Sequence, residues 1–509
     1  MRSQLSRWLG VDRSLALVES DELGFEHAHD GGGPLDRRSK NGWSRCRSVG
    51  RYGLLLLAFL TFKCPALHAD ESSHGLRRRS ESKLPNIVLI MADDMGYECV
   101  SANGATSYKT PHIDQLAKQG MRFVHAHSQP ICTPSRVQIM TGIYNERNYL
   151  QFGVLDAQAT TFAHLLQQAG YTTCVAGKWQ LKGGERAPQH FGFDEHCLWQ
   201  LTRRPSRYPN PGLEVNGKEL DYSGGEYGPD LVSDFVCDFI KRNRSEPFFV
   251  YYPMILPHWP FEPTPDSVDW DPTAKGVLKG VGELKYFQDM VHYTDKIVGK
   301  IVGQLDRLGL VDNTMLIFTG DNGTYVRIVS QTVEGPVQGG KGSTRDQGTH
   351  VPFVVRWPAR VKADQVSEAL VDFTDLLPTL AEAAEIPTNR WRNEKADRGG
   401  PQFDGLSFLP VLEGRTDSVR DWIYCWYDRN GRQDLATQHV RDRQFKLYLS
   451  GRFFDVVADP DEEVDLSQRE LSDSQRAARK RLVSVLNSVI SDSRKTPAVI
   501  THRRISGVE

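Results

Sequence analysis

The feature that most constrains the fold is a series of short, continuous apolar runs. The first run, LPNIVLIMADD at 84–94, shows no polar alternation and ends in two carboxylates. A run of this type is typical of a central parallel strand that is covered on both faces. Similar runs follow at 171–177, 247–255, 314–323 and 351–357. Amphipathic, helix-like stretches lie at 110–120, 160–169, 229–243, 284–308 and 373–383. The alternation predicts an α/β fold with a large, mostly parallel sheet flanked by helices.

The N-terminal part of the chain does not fit this pattern. Arg51 precedes an apolar run at 53–62, and ALHA at 66–69 offers small residues just before a cut after Ala69. These are the parts of a secretory signal, and the run is too short to span a bilayer. We expect a signal region at 1–69, cleaved after about Ala69, and a polar linker at 70–83. The protein is then exported, to the periplasm or outside the cell, and carries no membrane segment after cleavage.

The organisation changes again towards the C-terminus. A polar, turn-rich stretch at 389–405 is followed by aromatic, alternating segments at 422–428 and 445–457 and by a helical segment at 471–491. This pattern predicts a small antiparallel sheet with one helix. We therefore expect a main domain at 84–415, a C-terminal subdomain at 416–495 and a tail at 496–509.

Composition and cysteine usage exclude several classes of protein. The net charge is -2, so neither nucleic acid nor a membrane surface is predicted as a partner. Six cysteines remain after the signal region, without the close pairing of a zinc site. The protein is not built on a disulfide framework.

Polar side chains with metal-binding or anion-binding potential follow most of the predicted strands. They are Asp93 and Asp94, Lys178, His258, Asp321 and Asn322, and Lys341 just before the strand at 351. In open α/β sheets, ligands bind at the carboxyl ends of the strands. We expect these side chains to meet at one edge of the sheet.

Each of these residues also has an ordinary structural explanation. An Asp-Asp pair caps turns, the DNG at 321–323 is a common turn, and His258 stands in a proline-rich loop. The segment GPVQGGKG at 335–342 imitates a phosphate-binding loop, but Gly342 stands where Ser or Thr should hold magnesium, so we reject a nucleotide site.

Together the residues favour one kind of chemistry. Asp93, Asp94, Asp321 and Asn322 are hard oxygen donors, which suit calcium or magnesium rather than zinc. The basic side chains would surround an anion. A metal and a basic ring are typical of a site that transfers a sulfuryl or phosphoryl group.

A cysteine at the start of a predicted helix adds a further candidate. In QPICTPSR at 129–136, Cys132 could be a nucleophile, a metal ligand or a small buried apolar residue. Arg136 lies four residues on, on the same helix face. The motif resembles the C-x-P-x-R signature of the formylglycine-dependent sulfatases. Further blocks are similar to that family in the same order: NIVLIMADDMGY, GKW, PHWP, TGDNG and GGKGS.

The resemblance implies an alkaline-phosphatase-like α/β sandwich and a role for each block. It implies that one calcium ion, rather than magnesium, is bound by Asp93, Asp94, Asp321, Asn322 and an oxygen of modified Cys132. In that family the cysteine is oxidised to Cα-formylglycine before folding is complete, by a formylglycine-generating or an anaerobic maturation enzyme. The hydrated aldehyde is the family's nucleophile, and the resemblance implies that Arg136 holds its oxygens. The resemblance also implies that the sulfate is contacted by Lys178, Lys341 and His258. Asp321 would help to deprotonate the nucleophile. The leaving alkoxide would be stabilised or protonated by His258 and Lys341.

One position departs from the family pattern. The family has a histidine that takes the second hydroxyl's proton, whereas this chain has Gln180 in AGKWQLKGG. A glutamine can form a hydrogen bond there but cannot accept the proton. Either another base such as Asp321 or water serves, or the second step is slow. Gln180 and Trp259 are candidates for contacts with the substrate or with the catalytic side chains.

Three functions therefore remain open. The first is a sulfatase acting on a sulfated small molecule or polysaccharide. The others are a phosphate or phosphonate monoester hydrolase of the same superfamily and a turnover-deficient protein that binds sulfated glycans. Trp199, Arg203, Arg204, Arg207 and Tyr208 lie in the least motif-like segment, 182–228. They favour a sulfated carbohydrate as substrate, unless the segment is only a solvated surface loop.

Overall fold

The structure is a computed structural model, and it describes residues 84–182, 186–199, 201–278, 280–387 and 403–495. The predicted signal region and linker at 1–83 and the predicted tail at 496–509 lie outside the described residues. Within the described residues, no helix is long and apolar enough to cross a membrane.

Sixteen strands form three sheets in the described part of the chain. They are β1 Asn86–Ala92, β2 Met121–His127, β3 Thr172–Lys178, β4 Glu195–Trp199, β5 Gly212–Val215, β6 Lys218–Asp221, β7 Phe248–Pro253, β8 Thr314–Gly320, β9 Val329–Thr332, β10 Gly335–Gln338, β11 Phe353–Arg356, β12 Gln365–Asp372, β13 Ile423–Tyr427, β14 Thr437–Arg441, β15 Phe445–Tyr448 and β16 Phe453–Asp455.

Eleven α-helices accompany these strands in the same described residues. They are α1 Pro111–Lys118, α2 Cys132–Thr141, α3 Asn145–Asn148, α4 Phe162–Gln168, α5 Ala187–His190, α6 Gly228–Arg242, α7 Phe287–Arg307, α8 Asp346–Thr349, α9 Leu376–Ala383, α10 Leu409–Leu412 and α11 Asp473–Lys495.

The main sheet confirms the predicted fold class. Its strand order is β12-β2-β11-β8-β1-β7-β3-β4-β5-β6, and the central five strands, from β8 to β4, run parallel. All seven residues of β1 are buried, as expected for a strand covered on both faces. The predicted strand at 351–357 is present as β11, but it pairs antiparallel with both β8 and β2.

Two apolar cores lie on the two faces of the main sheet. Successive residues of β1 point to opposite faces, so Ile87 and Leu89 join one core, whereas Val88 and Ile90 join the other. The amphipathic helices α6 and α7 pack on the second core, and α2, α4 and α9 pack on the first. The sheet is therefore held rigidly from both sides, which fixes the positions of its strand ends.

The C-terminal part forms the predicted small antiparallel sheet. Its strand order is β13-β14-β15-β16, and the long helix α11 packs against β14 and β15. We call β13–β16 the C-terminal sheet. A separate hairpin, β9–β10, lies between Asn322 and Lys341 in the chain.

Candidate active site

The polar strand-end residues meet at one buried edge of the main sheet. Strands β8, β1, β7 and β3 are consecutive neighbours in the sheet, so their carboxyl ends lie side by side. All seven predicted side chains at this edge are at most 3% exposed: Asp93, Asp94, Lys178, His258, Asp321, Asn322 and Lys341. Such a concentration of buried polar groups is unusual for a protein interior unless the groups are paired or bind a ligand.

The oxygen donors lie close together after β1 and β8. The Asp94 N–H donates to Asp321 Oδ1 at 3.0 Å, and Asn322 Nδ2 donates to Asp94 Oδ1 at 2.8 Å. Among the described residues, Asn322 Oδ1 is buried without a hydrogen-bond donor. One oxygen each of Asp93 and Asp94 and a ring nitrogen of His258 lie within 4.8 Å of one another. Three carboxylates and one unpaired amide oxygen form a donor set that fits a hard divalent cation.

Three cationic side chains face these carboxylates. Lys178 Nζ lies 3.1 Å from Asp93 Oδ1, and Lys341 Nζ lies 2.9 Å from Asp94 Oδ2. Arg136 donates to Asp321 Oδ2 at 3.3 Å and to the carbonyl of Lys178 at 2.7 Å. Arg136 therefore connects helix α2 to the ends of two strands. The cations create the positive surroundings that an anionic ester requires.

The pKa values of the three carboxyl groups, those of Asp93, Asp94 and Asp321, are shifted by burial and by the charges packed around them. Burial raises the pKa of Asp321 to about 8, and the charge of Asp93 adds to the effect. Burial also raises the pKa of Asp94, although Lys341 opposes it. For Asp93 burial acts in the same sense, but Lys178 and Arg136 outweigh it and lower the pKa. A divalent cation among these groups would relieve their mutual repulsion and favour their ionised forms.

His258 lies against Lys341 at the same edge. Its Nε2 is 3.2 Å from Lys341 Nζ and 3.6 Å from Asp94 Oδ2. Burial and the charges of Lys178 and Lys341 lower the pKa of His258 well below its usual range. The imidazole is therefore neutral at pH 7.

Cys132 is the first residue of α2, and its side chain is completely buried. Its Sγ donates a hydrogen bond to Gln180 Oε1 at 3.0 Å. Gln180 follows β3 in the left-handed backbone region, with φ +54°, and is half-buried. Burial raises the pKa of the Cys132 thiol, and the positive charge of Lys178 compensates only in part. A neutral buried thiol is a poor nucleophile.

Of the residues singled out from the sequence in 182–228, Arg207 and Tyr208 contact His258. Arg207 Nη1 lies 3.0 Å from His258 Nδ1, and the Arg207 guanidinium stacks 3.9 Å over the Trp199 ring. The Tyr208 hydroxyl donates to the carbonyl oxygen of His258. Trp199 and Tyr208 are buried, and the Tyr208 hydroxyl donates to the carbonyl of Ile255 at 2.8 Å. Trp199 and Tyr208 are therefore covered by the protein and do not offer open faces on which a sugar ring could stack.

The remaining candidates are peripheral to the carboxylates. Arg203 pairs at the surface with Asp221 at 2.6 Å, whereas Arg204 is exposed. Trp259 is partly exposed, and its ring centroid lies 6.0 Å from Lys341 Nζ. Trp259 therefore lies at the rim of the buried edge.

The fold and the site define a class of hydrolases that act on anionic esters. Residues 85–386 match the family model described as Sulfatase, and residues 341–488 match the one described as N-sulphoglucosamine sulphohydrolase, C-terminal. The chain belongs to the sulfatase family and is a sulfuric ester hydrolase, in agreement with the resemblance seen in its motifs.

Relatives with assigned activities and solved structures agree with this membership. The chain is 32% identical over 424 residues to N-acetylgalactosamine-6-O-sulfatase of Bacteroides thetaiotaomicron, which covers 67% of this chain and 79% of the relative. It is 30% identical to N-acetylgalactosamine-6-sulfatase of Mus musculus, over 82% of this chain and 88% of the relative. The crystal structure of Ps i-CgsB in complex with k-i-k-neocarrahexaose is 27% identical, with a TM-score of 0.65, covering 81% of this chain and 94% of that one.

Proposed function

We propose that this sulfatase hydrolyses sulfate monoesters of carbohydrates, with a formylglycine made from Cys132 and a calcium ion held beside it. The observation that carries the proposal is the position of Cys132. It opens the helix whose Arg136 contacts Asp321, so the residue to be modified and the oxygen donors belong to one connected site. The buried, neutral thiol supports a modified nucleophile rather than the thiol itself.

The donor set favours calcium over the alternatives. Asp93, Asp94, Asp321 and Asn322 offer oxygens, and the unpaired Asn322 Oδ1 is free to bind the ion. Calcium prefers such oxygen ligands in a flexible geometry, whereas magnesium retains most of its waters. His258 lies nearby, but its nitrogen is better suited to zinc, so we assign it to the substrate.

A bound calcium ion, held by Asp93, Asp94, Asp321 and Asn322, would supply positive charge to the site, and the modified residue 132 would supply the attacking oxygen. Lys178, Lys341 and His258 bind the sulfate oxygens, and Arg136 holds the nucleophile's oxygens. Asp321 accepts a proton from the attacking hydroxyl. Lys341 protonates the leaving alkoxide, and the neutral His258, whose Nε2 lies 3.2 Å from Lys341 Nζ, stabilises it by a hydrogen bond.

Gln180 occupies the position of the usual histidine base. We propose that it orients the nucleophile, since its Oε1 already accepts a hydrogen bond from the side chain of residue 132. Asp321 or water then takes the second proton. A burst of one product equivalent per enzyme, with no further turnover, would contradict this role and indicate a glycan-binding protein.

The carbohydrate substrate is proposed on the names of relatives. Two of them are named N-acetylgalactosamine-6-O-sulfatase and N-acetylgalactosamine-6-sulfatase, and a similar solved structure is a complex with k-i-k-neocarrahexaose. The predicted export to the periplasm or the exterior gives access to such polymers. A maturation enzyme of the formylglycine-generating or anaerobic type is the implied partner.

Two measurements test the proposed function. Mass spectrometry of the peptide containing residue 132 should show a loss of about 18 Da for conversion of the thiol to the aldehyde. Steady-state assays should then show hydrolysis of the sulfate ester of an alcohol and little hydrolysis of its phosphate ester. Faster hydrolysis of the phosphate ester would favour a phosphate or phosphonate monoester hydrolase instead.

A further inference from the structure

A buried charged cluster lies between the C-terminal sheet and the segment that carries Lys341. We call residues 339–349 the Lys341 loop and define the cluster as Asp346, Arg441, Lys446, Tyr448 and Glu462. We propose that the C-terminal sheet positions Lys341 through this cluster, so that the sheet takes part in catalysis without touching the substrate. The inference rests on the proposed role of Lys341 in the sulfatase reaction.

The cluster holds the Lys341 loop from the side of the C-terminal sheet. Arg441, on β14, donates from Nη1 to Asp346 Oδ1 and Oδ2 at 2.6 and 2.7 Å. Lys446, on β15, donates to the carbonyl of Thr344 at 2.9 Å and to Glu462 Oε1 at 2.7 Å. The Tyr448 hydroxyl donates to Glu462 Oε2 at 2.6 Å. Contacts on two residues of the loop therefore fix it to two adjacent strands.

The other end of the Lys341 loop is part of the candidate active site. The Lys341 ammonium contacts Asp94 Oδ2 at 2.9 Å and His258 Nε2 at 3.2 Å. The Gly342 N–H donates to the carbonyl of Pro130 at 2.8 Å, two residues before Cys132. A shift of this loop would therefore move Lys341 relative to both His258 and the nucleophile.

The physical properties of the cluster suit a positioning role. Lys446 is completely buried and Arg441 nearly so, and removing one partner of such a pair leaves an uncompensated charge. Burial would raise the pKa of Asp346, but Arg441 and Lys446 outweigh it and hold that pKa well below its usual range. The Lys341 loop is rich in glycine, so contacts from outside it are needed to restrict its backbone.

The test uses leaving groups of different acidity. If Lys341 is displaced, the leaving alkoxide or phenoxide loses stabilisation, and the poorer leaving group suffers more. We expect Asp346→Asn to lower kcat about tenfold or more on 4-methoxyphenyl sulfate and less than about threefold on 4-nitrophenyl sulfate. In a Lys341→Ala background, Asp346→Asn should cause almost no further loss, because both changes act through one side chain.

A matched control separates positioning from loss of stability. Asp295 is a buried carboxylate that accepts the N–H groups of His112 and Ile113 at the start of α1, far from the Lys341 loop in the chain. Asp295→Asn should lower the thermal midpoint and leave unchanged the ratio of kcat on 4-nitrophenyl sulfate to kcat on 4-methoxyphenyl sulfate. Tyr448→Phe removes one hydroxyl of the cluster and should reproduce the selective loss in weaker form, even if Asp346→Asn does not fold.

The outcomes distinguish failure of this inference from failure of the proposed function. Full activity of Lys341→Ala on both esters would overturn the proposed role of Lys341. The positioning inference alone would be overturned by a different result. In that case Lys341→Ala has reduced activity, but Asp346→Asn and Tyr448→Phe each lower kcat by the same factor on both esters. Multiplicative effects of Lys341→Ala and Asp346→Asn would also overturn it.

Discussion

At the scale of single residues, Gln180 is the position that most affects how the proposed reaction cycle can end. Its Oε1 accepts a hydrogen bond from the side chain of residue 132 at 3.0 Å. We expect Gln180→Leu to lower kcat about tenfold, the effect of one lost hydrogen bond to a reacting group. Gln180→His should match or exceed the wild type, because it introduces a base. Wild-type turnover in Gln180→Leu, measured at saturating substrate, would exclude an orienting role.

Asn322 provides a test of the metal site that does not depend on activity. Its buried Oδ1 has no hydrogen-bond donor among the described residues, so it is available to an ion. When the protein has first been freed of metal with a chelator, calcium at about one hundred times its Kd should stabilise the folded state by about 2.7 kcal/mol. A thermal-shift titration should show this rise for the wild type and a much weaker one for Asn322→Leu. A stronger response to zinc than to calcium would contradict the proposed ion.

At the scale of elements, the end of β3 depends on Gly177. This residue has φ +111°, and a Cβ there would lie 2.0 Å from the carbonyl oxygen of Pro253 on β7. We expect Gly177→Ala to destabilise the protein by about 3 kcal/mol, from the positive φ and the clash together. Gly170, with φ +90° and open space around it, is the matched control. Equal thermal midpoints for the two alanine variants would contradict the clash.

The junction of the C-terminal sheet should be sensitive to acid. The pKa of Asp346 is held well below its usual 3.8 by Arg441 and Lys446 in spite of burial, so its ionised form stabilises the folded state. This contribution is present above the unfolded pKa and is lost as the pH falls below about 4. The thermal midpoint of the wild type should therefore fall more steeply between pH 5 and pH 3 than that of Asp346→Asn. If the plots of thermal midpoint against pH were parallel for the wild type and Asp346→Asn, Asp346 would not be the source of the acid sensitivity.

Patterns along the chain predict some elements and miss others for physical reasons. Strands β1, β3, β7 and β8 are continuous apolar runs because both faces are covered, and their ends give the site residues directly. Strand β2 reads MRFVHAH, with charged and polar residues between apolar ones, and it is not recognisable as part of the same sheet. The contact of Arg207 with His258 and the Asp346–Arg441 pair could not be identified either, because they depend on contacts between distant segments.

At the scale of the whole molecule, stability comes from packing rather than from covalent links. All six cysteines in the described residues are free: Cys99, Cys132, Cys174, Cys197, Cys237 and Cys425. We expect reductant to leave the thermal midpoint unchanged. A thiol titration of the denatured, signal-cleaved chain should give six thiols if Cys132 is unmodified and five if it is fully converted. A drop in the midpoint with reductant would reveal a disulfide and contradict this view.

Helix α2 is buried along all ten of its residues, and this has a consequence for production of the enzyme. Once the surrounding layers have packed around this helix, a maturation enzyme could no longer bind the chain around residue 132. If Cys132 is converted as proposed, conversion must therefore precede folding, and the two processes compete in time. The active fraction of a preparation would then be set by their relative rates, and molecules that fold first would stay inactive unless they are unfolded again.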